Sequence, residues 1–517
     1  MYKLGIDVGG TNTDAVLIDE NLKVIASVKQ HTTANIYDGI LDALRAVLEL
    51  SGIDRSEIGQ AMLGTTQCTN AIVERKNLAP IGIMRIGAPA SRGIPLTVDW
   101  AEDLKAIAVK TAIIGGGFEY DGKEIAPFDV EAATEFFKEM KEKDVKSVAI
   151  SCVFSTVRND HEVEAARLCK EVMGEDVHVS ISSEIGSMGL IERENATILN
   201  AALYKVAQSF TEGFAQSLAD EGVNNAQVYL SQNDGTLMTM EYARRYPILT
   251  IACGPTNSIR GASYLSKLKN AIVIDVGGTT TDLGVIQNGF PRESGVAVTI
   301  GGVRTNFRMP DVVSIGLGGG SIVRQKEDGT VTVGPDSVGY QITEKALCFG
   351  GDICTATDIA VRLGMADLGD KTLVAGIDEK FAKKAMDAIR VLCEDSIDAM
   401  KVSSDDVDVI LVGGGSIVLP EDLAGAKTVA KDEYGGVANA IGSAISKVSG
   451  TYEQLIDYNE IPRDEALEKA RAEAIELAVA AGAIRETVEI IDAEDVPLQY
   501  YPGNTARVKI KAAGDLA

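Results

Sequence analysis

Short apolar runs alternate with longer stretches of helical spacing along most of this chain. Residues 2–7 are apolar-rich and predict a strand, Gly9 and Gly10 turn the chain, and 15–18 are apolar again. Residues 22–30 predict a third strand. Between 36 and 51, Ile40, Leu41, Leu44, Val47 and Leu48 fall on one face of a helix. An apolar run at 61–63 ends in Gly64, and 65–76 suit a helix entered through Thr65 and Thr66. Residues 80–128 predict short strands and loops. Next come a helix at 130–143, a buried strand at 145–153, a helix at 158–173, a strand at 177–181 and one long helix at 189–219. Strands at 228–230 and 248–251 precede a helix over 255–268. At 271–275 the opening pattern restarts, with its second strand at 283–287 and its third at 295–300. A glycine-rich stretch at 314–340, helices at 355–363 and 378–400, and an apolar strand at 407–412 follow. That strand runs into Gly413-Gly414-Gly415-Ser416. Helices at 435–448 and 464–481 lead to strands from 487 around a turn at Tyr500-Tyr501-Pro502.

Such alternation predicts α/β layers. The restart is a repeat in the literal sense: IDVGGTNTD at 6–14 returns as IDVGGTTTD at 274–282. Its period is far too long for a solenoid and means two domain-sized copies. The length of 517 residues allows two to four domains.

Composition narrows the partners. Hydrophobic residues at 45% and charged residues at 24% are the balance of a soluble globular protein. A net charge of −26 repels phosphate backbones and anionic membranes, so neither nucleic acid nor a membrane is expected as a partner. No apolar run approaches the roughly 20 residues that span a bilayer, and the start enters a strand with no secretory pattern. A cytoplasmic protein is expected. Seven scattered cysteines without a C-x-x-C disfavour a disulfide framework or a four-thiolate zinc site. His31, His161 and His178 are too far apart in sequence to suggest a histidine-rich metal site.

The repeated motif carries chemistry. In each copy a strand delivers a carboxylate, Asp7 or Asp275, and two glycines turn the chain (Gly9 and Gly10, Gly277 and Gly278). Backbone N–H groups there, with the hydroxyls of Thr11, Thr13, Thr279 and Thr281, can point at phosphate oxygens. Asp7 and Asp275 suit a magnesium ion held through water, since magnesium keeps several waters and uses few carboxylates. Asp14 and Asp282 would orient the loop or join the same shell, with turn capping as the alternative. Two such hairpins facing each other would clamp a phosphate chain, and domain closure would expel water. Two ordinary glycine turns are the competing explanation. Neither a Walker loop nor G-x-G-x-x-G occurs at these sites. Gly413, Gly414, Gly415 and Ser416 after a buried strand suit an adenosine lying on backbone; residues 315–321 compete for that role.

At these residues the chain resembles the acetate and sugar kinase, heat-shock ATPase and actin superfamily. That resemblance implies an α/β fold of two ribonuclease-H-like domains, mixed sheets flanked by helices, with ATP in the cleft between them. Further segments resemble the hydantoinase/oxoprolinase family: Gly64-Thr65-Thr66 with Thr69-Asn70-Ala71 and Glu74-Arg75; Glu192-Arg193 with Thr197 and Asn200; Cys253-Gly254-Pro255 with Gly261-Ala262; then 314–322, 334–337, Thr357-Asp358 and Leu363-Gly364. The similarity runs over roughly residues 2–420. The expected division is 1–185, 186–485 and a C-terminal strand segment at 486–517.

The family likeness implies ATP and Mg2+ as cofactors and phosphorylation of the carbonyl oxygen of a cyclic amide or imide to drive ring opening. Alternatives are the carbonyl-activating subunit of a ketone carboxylase-like complex, a small-molecule kinase, or an ATP-gated activator or scaffold without its own small-molecule chemistry. Thr65, Thr66 and Asn70 would bind substrate or phosphate, unless a threonine merely caps a helix. Glu192 and Arg193 would sit by the substrate or form an internal ion pair. A second subunit is an expected partner, and a homo-oligomer stays open. The chain departs from the family pattern at Leu63, where histidine is usual, and at Gly254-Pro255-Thr256-Asn257-Ser258, which replaces G-P-A-G-G. It also departs over 83–100, and it ends sooner than the typical large subunit.

Overall fold

The computed structural model describes residues 1–10, 12–31, 36–294, 297–499 and 503–516. The expected turn at 500–502 therefore lies outside the described residues, as does Thr11.

β1 (Tyr2–Val8), β2 (Asn12–Ile18) and β3 (Val24–His31) form an antiparallel meander. After α1 (Ile36–Ser51), β4 (Ile58–Thr65) joins β1 in parallel. Residues 4–8 of β1 are buried on both faces, as a central strand covered by helices on either side requires. Beyond α2 (Gln67–Glu74) the chain leaves this sheet. It builds a separate parallel sheet from β5 (Ile81–Ala88), β6 (Ala108–Gly115), β7 (Ser147–Cys152) and β8 (His178–Ile181), in the order β6-β5-β7-β8. α3 (Leu190–Ala202) brings the chain back. β9 (Gln227–Ser231) then pairs with β4 in parallel and completes the order β3-β2-β1-β4-β9, and β10 (Leu237–Thr239) extends it.

α4 (Cys253–Ser266) leads into the second copy. β11 (Ala271–Val276) and β12 (Thr281–Gln287) repeat the hairpin of β1 and β2. β13 (Phe290–Pro291), β14 (Val298–Ile300), β15 (Val303–Thr305), β16 (Val312–Ile315), β17 (Ser321–Gln325) and β18 (Val331–Ser337) follow. After α5 (Glu379–Met400), β19 (Val407–Val412) joins β11 in parallel and β20 (Ala426–Lys431) joins β19. With β13 and β16 both on the outer side of β12, the strand order matches the first sheet. Two ribonuclease-H-like units are present, as expected.

The division at 185 does not follow the sheets. β9 and β10 belong to the first sheet, as do β21 (Val448–Asp457), β22 (Glu489–Pro497) and β23 (Thr505–Gly514), in the order β22-β23-β21-β10. The third sheet is an insertion into the first unit. Three local expectations also change. The long helix at 189–219 breaks after Ala202, because the carbonyls of Ala201 and Ala202 accept from Ser147 Oγ and the Ala79 N–H. Residues 298–300 do not extend the second sheet. Gly301 and Gly302, both at positive φ, close them into a hairpin with β15, and β16 takes the place beside β12. The run at 248–251 is a buried 3-10 turn opened by Pro247, which has no N–H to give a ladder.

The two units are tied crosswise. α4 follows the first unit yet packs Ile259 and Ala262 on Val273, Ile286 and Ile410 of the second sheet. α6 (Ala438–Ile445) follows the second sheet yet packs Ala440, Ile441 and Ala444 on Val16 and Ile18 of the first. The two helices cross backbone to backbone. A Cβ on Gly261 would fall 1.9 Å from the Ala438 carbonyl oxygen, and one on Gly442 would fall 1.8 Å from that of Asn257. No helix among the described residues is long and apolar enough to cross a membrane.

Candidate functional site

Strand register sets the two carboxylates in matching places. Asp7 pairs with Asp14 across the first hairpin, and Asp275 with Asp282 across the second. Both turns close alike, Gly9 N–H donating to Asn12 O at 3.0 Å and Gly277 N–H to Thr280 O at 2.9 Å. On the parallel side, Asp7 lies beside Gly64, and Asp275 lies beside Val412, just before Gly413. A Cβ on Gly64 would stand 2.2 Å from Asp7 Oδ1, and one on Gly413 would stand 2.3 Å from Asp275 Oδ1. Gly413 also sits at φ +84°, which side chains rarely adopt. The G-T-T segment of one unit and the glycine triplet of the other are thus equivalent positions in the repeat.

Asp7 is buried, and both oxygens are held: Oδ1 accepts from Asn257 Nδ2 and Oδ2 from Asn439 Nδ2, each at 3.0 Å. Burial pushes its carboxyl up to about 6; the charges of Asp14 and Asp275 add to the rise and the two amides oppose it. Asn439 Nδ2 also donates to Asp14 Oδ2 at 2.8 Å. Lys29 Nζ reaches both Asp14 oxygens, at 2.5 and 2.7 Å. Burial raises the Asp14 carboxyl while Lys29 pulls it down. Asp275 is raised by burial, against a hydrogen bond from Ser258 and the charge of Lys29. Asp282 is pushed up to about 6 by burial, with Ser314 Oγ donating to it.

Lys29 belongs to β3 of the first unit, yet its Cε comes within 4.0 Å of where a Gly414 Cβ would stand. A cation of one half therefore faces the exposed glycine loop of the other. That loop and residues 315–321 are not alternatives, because they form one wall. Gly319 and Gly320 N–H donate to the carbonyls of Gly277 and Gly278, Gly415 N–H donates to Val276 O, and Gly318 lies directly on Gly278 and Thr279. Ser416 starts the short turn behind it.

Not every predicted residue faces the cleft. Gly10 and Thr279 are exposed at the hairpin tips. Thr281 is fully buried and spends its hydroxyl on Leu317 O at 2.7 Å, so it fastens the glycine wall and does not reach outward; Thr13, its counterpart, is also fully buried. Thr11 is outside the described residues. Thr65, buried, ends β4 opposite Val8, one residue past Gly64, and Thr66 leads into α2. Thr65 Oγ1 accepts from Gln67 N, and Thr66 donates its N–H and Oγ1 to Val8 O, at 3.2 and 3.3 Å. Asn70 Nδ2 lies 3.4 Å from Thr66 Oγ1. Arg193 is buried elsewhere. It donates to Ser182 Oγ, Ser187 O and Cys152 O, clamping α3 to the inserted sheet, and the neighbouring Arg85–Glu194 ion pair does the same. Glu192 pairs with Arg304 at 3.3 Å and lines a polar cavity of about 630 Å3 between the insertion, residues 304–308 and the C-terminal strands.

Sequence reasoning missed Lys29, Asn257, Ser258 and Asn439. Only Asn257 and Ser258 carried a signal, since they occupy the altered 254–258 segment. No cluster of three or more metal-binding side chains occurs among the described residues.

Residues 3–173 match the model of the hydantoinase/oxoprolinase N-terminal region, and residues 193–407 match that of hydantoinase/oxoprolinase. The chain is 28% identical to the caprolactamase subunit alpha of Pseudomonas jessenii, over 75% of this chain and 58% of that protein. It is 25% identical to the acetophenone carboxylase gamma subunit of Aromatoleum aromaticum, over 70% of this chain and 53% of that one. It thus spans little more than half the length of these curated relatives. The crystal structure of the ATP-dependent caprolactamase from Pseudomonas jessenii superposes with a TM-score of 0.80 at 20% identity, covering 99% of this chain and 88% of that one. At that identity the likeness is one of fold.

Proposed function

The chain belongs to the hydantoinase/oxoprolinase family, and from that premise we propose that it is an ATP-dependent hydrolase that phosphorylates the carbonyl oxygen of a cyclic amide or imide. One observation carries the reading. Two equivalent hairpins each set a carboxylate over a glycine, and Lys29 of one half reaches the glycine loop of the other.

In this reading the nucleotide lies between the hairpins, with adenosine on the wall of Gly413–Gly415 and Ser416. The exposed backbone around Gly10, Gly278 and Thr279 meets the phosphates. Lys29 supplies positive charge where the phosphoryl group transfers. Asp7 and Asp275 suit a magnesium ion held through its waters. A cage of protein ligands alone is absent among the described residues, which matches an ion that leans on nucleotide oxygens and water. When bound, magnesium neutralises charge on the phosphates. Thr65, Thr66 and Asn70, at the end of β4 and the start of α2, would meet an acceptor. The carbonyl oxygen takes the γ-phosphoryl group as its bond to ADP breaks and the ring nitrogen gives up its proton. One water adds to the activated carbon and the C–N bond breaks to leave an acyl phosphate, which a second water hydrolyses to the carboxylate and inorganic phosphate. The free thiols of all seven cysteines fit a reducing, cytoplasmic setting.

The relatives named as subunits support a partner subunit for this chain as well. Likeness to a carboxylase subunit favours a second reading, in which the same step activates a ketone for carboxylation. Phosphate release should rise with one member of a panel of lactams, hydantoins, imides and ketones, tested with and without a partner subunit. A requirement for bicarbonate would select the carboxylase reading, and a stable phosphorylated product in phosphorus NMR would select a kinase. No stimulation by any compound in either setting would refute the enzymatic reading.

A further inference from the structure

Asn439 stands between the two carboxylates of the first hairpin. Asp7 and Asp14 lie opposite each other across β1 and β2. The Asn439 Nδ2 donates to Asp7 Oδ2 at 3.0 Å and to Asp14 Oδ2 at 2.8 Å. An amide nitrogen carries two hydrogens, so both are spent. The other end of the amide is fixed as well. Its Oδ1 accepts from the Ala440 N–H at 2.9 Å, a first-turn donor of α6 that has no acceptor within its own helix. A donor on that side requires the oxygen there and turns the nitrogen toward the carboxylates.

The backbone that carries Asn439 is wedged on two sides. A Cβ on Gly5 of β1 would fall 2.3 Å from the Ala440 carbonyl oxygen, and one on Gly261 of α4 would fall 1.9 Å from that of Ala438. The residues before and after Asn439 are thus seated on α4 and on β1, two residues short of Asp7. α6 follows the second sheet in the chain, so the second unit's chain supplies a donor to the first unit's hairpin. Asp14 passes the contact on. Lys29 Nζ lies 2.5 and 2.7 Å from its oxygens, and Lys29 Cε comes within 4.0 Å of where a Gly414 Cβ would stand. One hydrogen-bonded chain therefore runs from Asp7 through Asn439 and Asp14 to the lysine at the glycine loop.

We propose that Asn439 is a positioning residue for phosphoryl transfer: one amide that keeps two carboxylates in place, Asp7 beside Gly64 and Asp14 under Lys29. Like charges directly opposite each other on a hairpin repel; the shared amide turns that pair into two acceptors of one donor. This role rests on the ATP-site reading and adds to it a residue from the far end of the chain.

The test compares Asn439→Ala, Asn439→Leu and Asn439→Asp by kcat and KM for MgATP, with melting temperature as the folding control. Losing two hydrogen bonds to charged groups predicts a kcat about 10- to 100-fold lower in the alanine and leucine variants. KM for MgATP should stay within about threefold, because the amide is spent on protein groups. Asn439→Asp keeps the shape but replaces the donor with a third carboxylate, so it should be the worst, at least about threefold below the alanine variant. A residue that only fills space gives the opposite order, with aspartate near wild type and alanine worst. Alanine and leucine variants within about twofold of wild-type kcat, an aspartate variant no worse than the alanine one, or a loss confined to KM would each overturn the role. If Asn439→Ala does not fold, the two variants that keep the volume decide; if none folds, Asn439 is a structural residue and the role is overturned. An unaltered chain without ATP turnover overturns the ATP reading and this role with it; an active chain with fully active Asn439 variants overturns the role only.

Discussion

Asp7→Asn should raise stability while removing activity. In the folded protein the Asp7 carboxyl stands at about 6, against an ordinary 3.8. That rise corresponds to about 3 kcal/mol of folding free energy at neutral pH. The sign follows from proton uptake. Between those two values the folded state binds the proton that the unfolded state has released, so the wild type loses stability as pH rises through 6. An isosteric amide never ionises and escapes the loss. Its two contacts weaken from charged to neutral hydrogen bonds, an offset of about 1 kcal/mol. Asn257 can turn its unpartnered Oδ1 toward the new amide nitrogen, so no donor faces a donor. The net expectation is a gain of about 1–2 kcal/mol at pH 7.5, narrowing by about 1 kcal/mol at pH 5. Calorimetric melts of both proteins at the two pH values, in chelator and without nucleotide, measure it. A variant no more stable than wild type at pH 7.5, or a gap that fails to narrow in acid, would refute the electrostatic account of Asp7. ATP turnover should fall at least about 100-fold in the same variant.

Lys29→Met should lower kcat for ATP turnover by about 100-fold or more, and steady-state kinetics against MgATP would expose a merely structural lysine by unchanged kcat. Arg193→Ala should cost about 3 kcal/mol or more in stability, because it empties a buried clamp of three hydrogen bonds. A change in substrate KM at unchanged melting temperature would instead return Arg193 to the substrate site. Gly442→Val should force α4 and α6 apart and depress both stability and turnover, since its Cβ has no room beside the Asn257 carbonyl; a fold and activity like wild type would show that the crossing is not rigid.

Much of the site was legible because it is local. A strand, a carboxylate, two glycines and a returning strand lie within nine residues, and their duplication stated the architecture. The glycines at 64 and 413 could also be singled out, since close approach to a carboxylate leaves room for nothing else. Thr281 looked equally functional in the sequence. Only the position of Leu317 shows that its hydroxyl is spent on the wall. The Glu192-Arg193 segment matched a family pattern; Arg193 holds an inserted sheet in place, while Glu192 pairs with Arg304 and lines a polar cavity.

By itself the sequence determined the two hairpins, their carboxylates and the family, because hydrophobic period and turn chemistry are set by residues near one another in the chain. The tertiary structure alone decided which helix serves which half. Asparagine, serine and lysine are common surface residues; the altered 254–258 segment drew notice to Asn257 and Ser258, but nothing in it, or near Asn439 or Lys29, names a carboxylate as the partner. Their role arises where α4 and α6 cross between the sheets and where β3 leans over the second unit. Such long-range placement follows from packing of both units together, so no local pattern could carry it.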